Sequence, residues 1–150
     1  MQRRWIAFAV VCLLLVGSYV VTAQVARPYR NGSAWQVAFI RVKPGMENLY
    51  LTYLAGDWKR EQEALKSAGL ILSYKVLQTE PHNPGDFTLM LMTEYKDLAT
   101  MEASESKVDG IIQKVIGDDQ KQVQGYKERA EIRDVLGSRL AREIVLEPRR

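Results

Sequence analysis

Three aromatic side chains close together in the chain, Tyr50, Tyr53 and Trp58, have the most chemistry to offer. Each joins a flat apolar body to a polar tip, a combination that lines pockets for small apolar or aromatic molecules and orients what they hold. Tyr74 falls where a neighbouring strand would bring it towards them. Arg41, Lys75, Glu94 and Arg142 lie in or beside predicted strands, and a charge turned into an enclosed space must be paired or solvated, which makes it a candidate ligand contact. The candidate ligand-binding set is therefore Arg41, Tyr53, Trp58, Tyr74 and Glu94. The competing roles are core packing for the aromatics and exposed strand edges for the charges. Met46, Met90, Met92 and Met101 either soften such a pocket or fill gaps in the core.

Signatures of catalysis are missing. The chain has no Gly-x-Gly-x-x-Gly, no phosphate loop, no His-Glu-x-x-His and no Gly-x-Ser-x-Gly. His82 is the one histidine; it is suited to haem ligation or general base work, but it sits among Pro81, Asn83, Pro84 and Asp86 as a turn residue would. One histidine and one cysteine cannot build a tetrahedral zinc site of nitrogen and sulfur ligands within a single chain. Asp118-Asp119 reads as a helix start rather than a metal site. No metal and no cofactor are expected, and catalysis is left open.

The compartment is written at the start. Met1-Gln2-Arg3-Arg4, an apolar run from Trp5 to Val21, and Val21-Thr22-Ala23 form an export signal, with cleavage expected after Ala23. The alternative is an anchor kept through residues 5–21, since about 17–25 apolar residues span a bilayer. The one cysteine, Cys12, lies inside this run and follows Val11, which argues against lipid attachment. Without it the mature protein has neither disulfide nor thiolate. The formal charge of +3 falls to near +1 when Arg3 and Arg4 leave, and the remaining cations are mixed among acids. No basic stripe tracks a phosphate backbone, so neither nucleic acid nor, after cleavage, a membrane is an expected partner.

Residues 24–34 carry Pro28 and Asn31-Gly32 and read as a lead-in arm ending in a turn; Asn31-Gly32-Ser33 is also a formal glycosylation acceptor. A domain is expected over 35–147, with 148–150 a basic tail. Trp35 to Val42 is a strand stopped by Lys43-Pro44-Gly45. Apolar residues at three- and four-residue spacing predict a helix over Glu47–Ala68, with Lys59, Arg60, Glu61 and Glu63 on its wet side and Gly69 as its stop. Strands come next at Leu70–Thr79 and Phe87–Tyr95, separated by the Pro81–Asp86 turn. A broken helical stretch runs from Leu98 towards Lys107, then over Val108–Ile116, then from an N-cap at Asp118 to Leu136. Its last piece has few apolar positions (Val123, Tyr126, Ala130, Val135) and is expected on the surface. Leu140–Leu146 makes a final strand.

Strand, helix, strand, strand, helices, strand is the order of a split βαβ, ferredoxin-like α+β domain, an antiparallel sheet with helices on one face and an extra helix before the last strand. The first and third strands would be central. Val37 and Phe39 alternate with Ala38, Ile40 and Val42, and Met90 and Met92 with Phe87, Leu89 and Leu91, so both faces are apolar while helices cover one. A second copy of the sheet is the simplest cover, which predicts a homodimer.

This order, the two-faced strands and the opening Phe39-Ile40-Arg41-Val42-Lys43-Pro44-Gly45-Met46 resemble the dimeric α+β barrel superfamily, which includes antibiotic-biosynthesis-type monooxygenases, NIPSNAP and EthD-like proteins and haem-degrading monooxygenases. The resemblance spans Trp35 to Glu147 and implies the fold and the dimer. The Asn, Trp and His set of the haem-degrading members is not found on this sequence. Three functions are compatible with these features: an exported small-molecule-binding protein with an aromatic pocket between the first helix and the sheet, a cofactor-independent monooxygenase-like enzyme, or a structural module of the envelope using the Asp118–Leu136 helix.

Overall fold

The computed structural model describes residues 27–147. The expected signal sequence at 1–23 with Cys12, and the expected tail at 148–150, lie outside the described residues. Within them, β1 (Tyr29–Val42), β2 (Ser73–Gln78), β3 (Leu89–Tyr95) and β4 (Arg133–Leu146) form one antiparallel sheet in the order β2-β3-β1-β4. Between β1 and β2 run α1 (Glu47–Tyr53), a π turn (Leu54–Trp58) and α2 (Lys59–Ser67); between β3 and β4 run α3 (Leu98–Ala103), α4 (Glu105–Val115) and α5 (Asp119–Ile132). This is the α+β ferredoxin-like plan, with β1 and β3 central. Among the described residues no helix is long and apolar enough to cross a membrane.

The pleat sorts the side chains. Ala34, Ala38, Ile40 and Val42 of β1, with Leu89, Leu91 and Tyr95 of β3, pack under the helices. One cluster joins Ile40, Val42 and Leu89 to Tyr50 and Leu54; a second joins Ala34 and Tyr95 to Leu65 and Ile71. The register pairs Val37 with Met92 and Phe39 with Met90, which places these four together on the opposite face. Phe87 departs from the expected alternation. β3 begins only at Leu89, and the Phe87 ring packs edge-on against Phe39 at 4.9 Å.

The first and last strands are both longer than expected, and for one reason: they pair with each other from Tyr29↔Leu146 to Val42↔Arg133. Tyr29–Ala34, expected from the sequence to be a lead-in arm, is therefore strand. Asn31-Gly32 makes a bulge there instead of a turn, since the register shifts between Asn31 and Ala34. A Cβ at Gly32 would run into the Glu143 side chain, whose carboxylate accepts from the Ser33 N–H and hydroxyl at 3.3 Å. A second bulge sits opposite Phe39 and Ile40, where Gly137 takes φ 155°, a conformation that favours glycine. It lets β4 start at Arg133, so α5 ends at Ile132 and the expected helical residues 133–136 are strand.

The expected helix over Glu47–Ala68 is right in extent but not regular inside. Gly56 and Asp57, both poor helix formers, lie in the π turn. The wider turn re-phases the helix beyond it, so α1 feeds the first cluster and α2 the second. Gly69 ends the helix as predicted, its N–H bonding the Lys66 carbonyl while Leu70 N–H bonds that of Leu65. Asp97 and Asp118 cap α3 and α5, accepting from Thr100 N–H at 2.7 Å and Lys121 N–H at 2.9 Å. α3 ends at Ala103, inside the expected Glu102–Lys107 region, and α4 begins at Glu105, three residues before the expected Val108.

Candidate functional site

The five residues singled out by sequence do not converge. Arg41 and Glu94 belong to the face of the sheet away from the helices. There Arg41 bonds Asp134 of β4 at 2.9 Å, Ser73 donates to Glu94, and the Lys75 ammonium lies 4.5 Å from the Trp35 ring. Trp58 and Tyr74 form a separate pair, ring edge to face at 5.4 Å, with the Tyr74 hydroxyl donating to Glu63. That contact raises the Tyr74 pKa to about 12, first through the hydrogen bond to a carboxylate. The two rings pack on each other and on the core between the first helix and the sheet. Arg142 is exposed on β4, and His82 and Asn83 offer backbone N–H groups to the Asp86 carboxylate at 3.0 Å in an exposed turn.

Of the five, Tyr53 lines the cleft that the described residues form beside the first helix. On the outer side of the first helix, α1, the π turn, α2, α4 and α5 enclose a cleft of about 290 Å³ lined by Tyr53, Glu61, Ile112, Ile116, Gly125 and Arg129. Exposed Asp57, Lys121 and Glu128 also border it. The Arg129 guanidinium lies 4.7 Å from the centre of the Tyr53 ring; Tyr53 stacks on Tyr50 at 5.8 Å and 24°, and Arg133 lies 5.4 Å over the Tyr50 ring. The result is a column of two tyrosines between two guanidinium groups, held by cation–π contact. Gly125, one turn before Arg129, makes room: a Cβ there would sit 2.9 Å from Arg129 Nη1.

Electrostatics mark the same column. Burial pushes the Tyr50 hydroxyl up to about 12, outweighing the opposing pull of Arg133, and it raises Tyr53 against Arg129. Glu61 is raised by burial too, and Arg129 is the charge that opposes the rise. Yet among the described residues the ion pairs are Arg30–Glu147, Arg41–Asp134 and Arg60–Asp57, and none joins Glu61 to Arg129. Gln62 donates to Glu61 at a long 3.5 Å. The Nε atoms of Arg129 and Arg133 are buried without a hydrogen-bond partner among the described residues. Buried donors of this kind normally find a partner.

Sequence reading missed Glu61, Arg129 and Arg133. A regular helical period puts Glu61 on the wet side, and the π turn before it breaks that period. Arg129 and Arg133 lie in a stretch with too little apolar pattern to show which way it faces. Their one signal is the Gly125–Arg129 spacing of one helical turn.

No family model matches the chain, and no curated protein matches it in sequence. Solved structures do match in fold. A dimeric ferredoxin-like protein from an uncultured marine organism superposes with a TM-score of 0.50 at 15% identity, covering 78% of this chain and 90% of its own. HapK from Hahella chejuensis gives 0.48 at 6% identity, over 73% of this chain and 91% of its own. A NIPSNAP family protein of unknown function from Agrobacterium tumefaciens gives 0.48 at 11%, over 77% and 90%. With the strand order and the single helical layer, the first of these likenesses shows the ferredoxin-like fold.

Proposed function

We propose that this chain is an exported, homodimeric small-molecule-binding protein whose ligand enters the cleft beside Tyr53. The observation that carries the reading is the cleft itself: an apolar floor from Ile112 and Ile116, an aromatic wall, and a few polar groups with bonding capacity left over. Its size suits a small planar molecule. Export is supported by Arg3-Arg4, the apolar run and Ala23. Pairing through the open sheet face is supported by the apolar Val37, Phe39, Met90 and Met92 there, and by the dimeric state of the ferredoxin-like protein that matches at a TM-score of 0.50. Native mass spectrometry of protein purified without denaturation tests the binding reading. A small molecule released on mild activation, and lost in Gly125→Leu, which fills the cleft, is the expected result. A ligand retained by Gly125→Leu would place binding elsewhere.

A further inference from the structure

We infer that the ligand of this cleft is a small monocarboxylic acid with an apolar or aromatic body, held by Arg129 and sharing a proton with Glu61; this rests on the binding reading above. The guanidinium supplies the polarity. Stacked on Tyr53 and given room by Gly125, it lines the cleft and enters none of the ion pairs among the described residues, and a carboxylate is the planar acceptor that matches its fork. The surrounding charge sets the valence. Besides Arg129, Lys121 is the only cation on the cleft among the described residues, whereas Asp57, Glu61 and Glu128 are acids. A phosphate or sulfate dianion would meet more repulsion than attraction there, while one carboxylate balances one guanidinium.

Glu61 supplies the proton. Asp57 is occupied by Arg60 at 2.6 Å and Glu128 by Gln124 at 3.0 Å, which leaves Glu61 as the half-buried acid facing Arg129 across the gap. Two carboxylates drawn to one guanidinium cannot both stay ionised at close range, so one proton is retained between them. The titratable and charged groups facing Glu61 are Tyr53 and Asp57 from the first helix, Arg129, Lys121 and Glu128 from α5, and Tyr95 from β3; Ile112 and Ile116 of α4 add none. Burial already favours the protonated acid there. Binding therefore takes up a proton, and affinity falls about tenfold per pH unit once free Glu61 is ionised.

Titration calorimetry with benzoate, phenylacetate and hexanoate, against benzamide and benzyl alcohol as neutral partners, tests this on the purified chain from pH 5 to 8. The expected result is binding of carboxylates at least tenfold tighter than neutral partners, abolished by Arg129→Met, with the pH slope flattened in Glu61→Gln. On the wild type, the Arg129 side-chain Nε–H resonance should shift with benzoate and not with benzamide, whatever the variants do. Neutral probes binding as tightly as acids would overturn the carboxylate assignment and leave the cleft a binding site. Binding of no probe from either series would remove both. Acids that bind with no proton uptake would overturn the role of Glu61.

Discussion

Trp58 and Tyr74 were expected to line a pocket, and their edge-to-face contact makes them a packed pair that joins the two core clusters, Trp58 against the first and Tyr74 against the second. Because Trp58 stays half-exposed, its loss should fall below the about 3–5 kcal/mol of a fully buried aromatic; Trp58→Ala is expected to cost about 1–3 kcal/mol in urea melts, and Trp58→Phe less. Tyr50 gives a second measurable consequence. Its folded pKa of about 12 lies above the unfolded value near 10. Both states are neutral below pH 10, so stability is intact there; from pH 10 to 12 the unfolded state ionises first and stability falls. Absorbance titration should show Tyr50 and Tyr74 ionising well after the exposed tyrosines, and Tyr50→Phe should remove its share of the alkaline loss. Gly32→Ala is expected to destabilise by about 1–3 kcal/mol through collision with Glu143, and by less in a Glu143→Ala background.

Among the helices, α5 is the most exposed. Like α3 and α4 it has no buried residue, most of its positions face solvent, and it ends directly in β4. Hydrogen exchange should therefore find its amides open far more readily than those of β1 and β3, and Asp118→Ala should accelerate them by removing a cap worth about 1 kcal/mol. Protection of α5 equal to that of the sheet would contradict this. The same contrast explains what could be read in advance. Strand order and faces were legible in Val37, Phe39, Met90 and Met92 because alternation in a strand is local and leaves a mark in sequence. The true ends of β1 and β4 were not, because they are set by pairing between residues at opposite ends of the domain, and Asn31-Gly32 and Gly137 mark bulges as readily as turns. The cleft was hidden for a related reason: its polar groups come from two helices whose phases depend on a π turn and on α5's docking, and neither has a periodic signature.

For the whole molecule, the proposed pairing rests on the face of the sheet away from the helices. Phe39, Met90 and Met92 remain half-exposed there, with Arg41–Asp134 and Lys75 over Trp35 towards β4 and β2. Light scattering on the mature protein should give twice the monomer mass, and Phe39→Lys should halve it, since a lysine unpaired in a buried sheet interface is strongly unfavourable. A monomer at micromolar concentration in the unaltered protein would refute the pairing.

The ladder that joins Tyr29 to Leu146 also governs the order of events during synthesis. β1 leaves the ribosome first among the strands, yet one of its two long edges has no partner until β4 has been made. Contacts this distant along the chain are slow to close. The nascent polypeptide thus stays short of its native state until its fourth strand emerges, a delay that would suit the proposed export by keeping the chain extended.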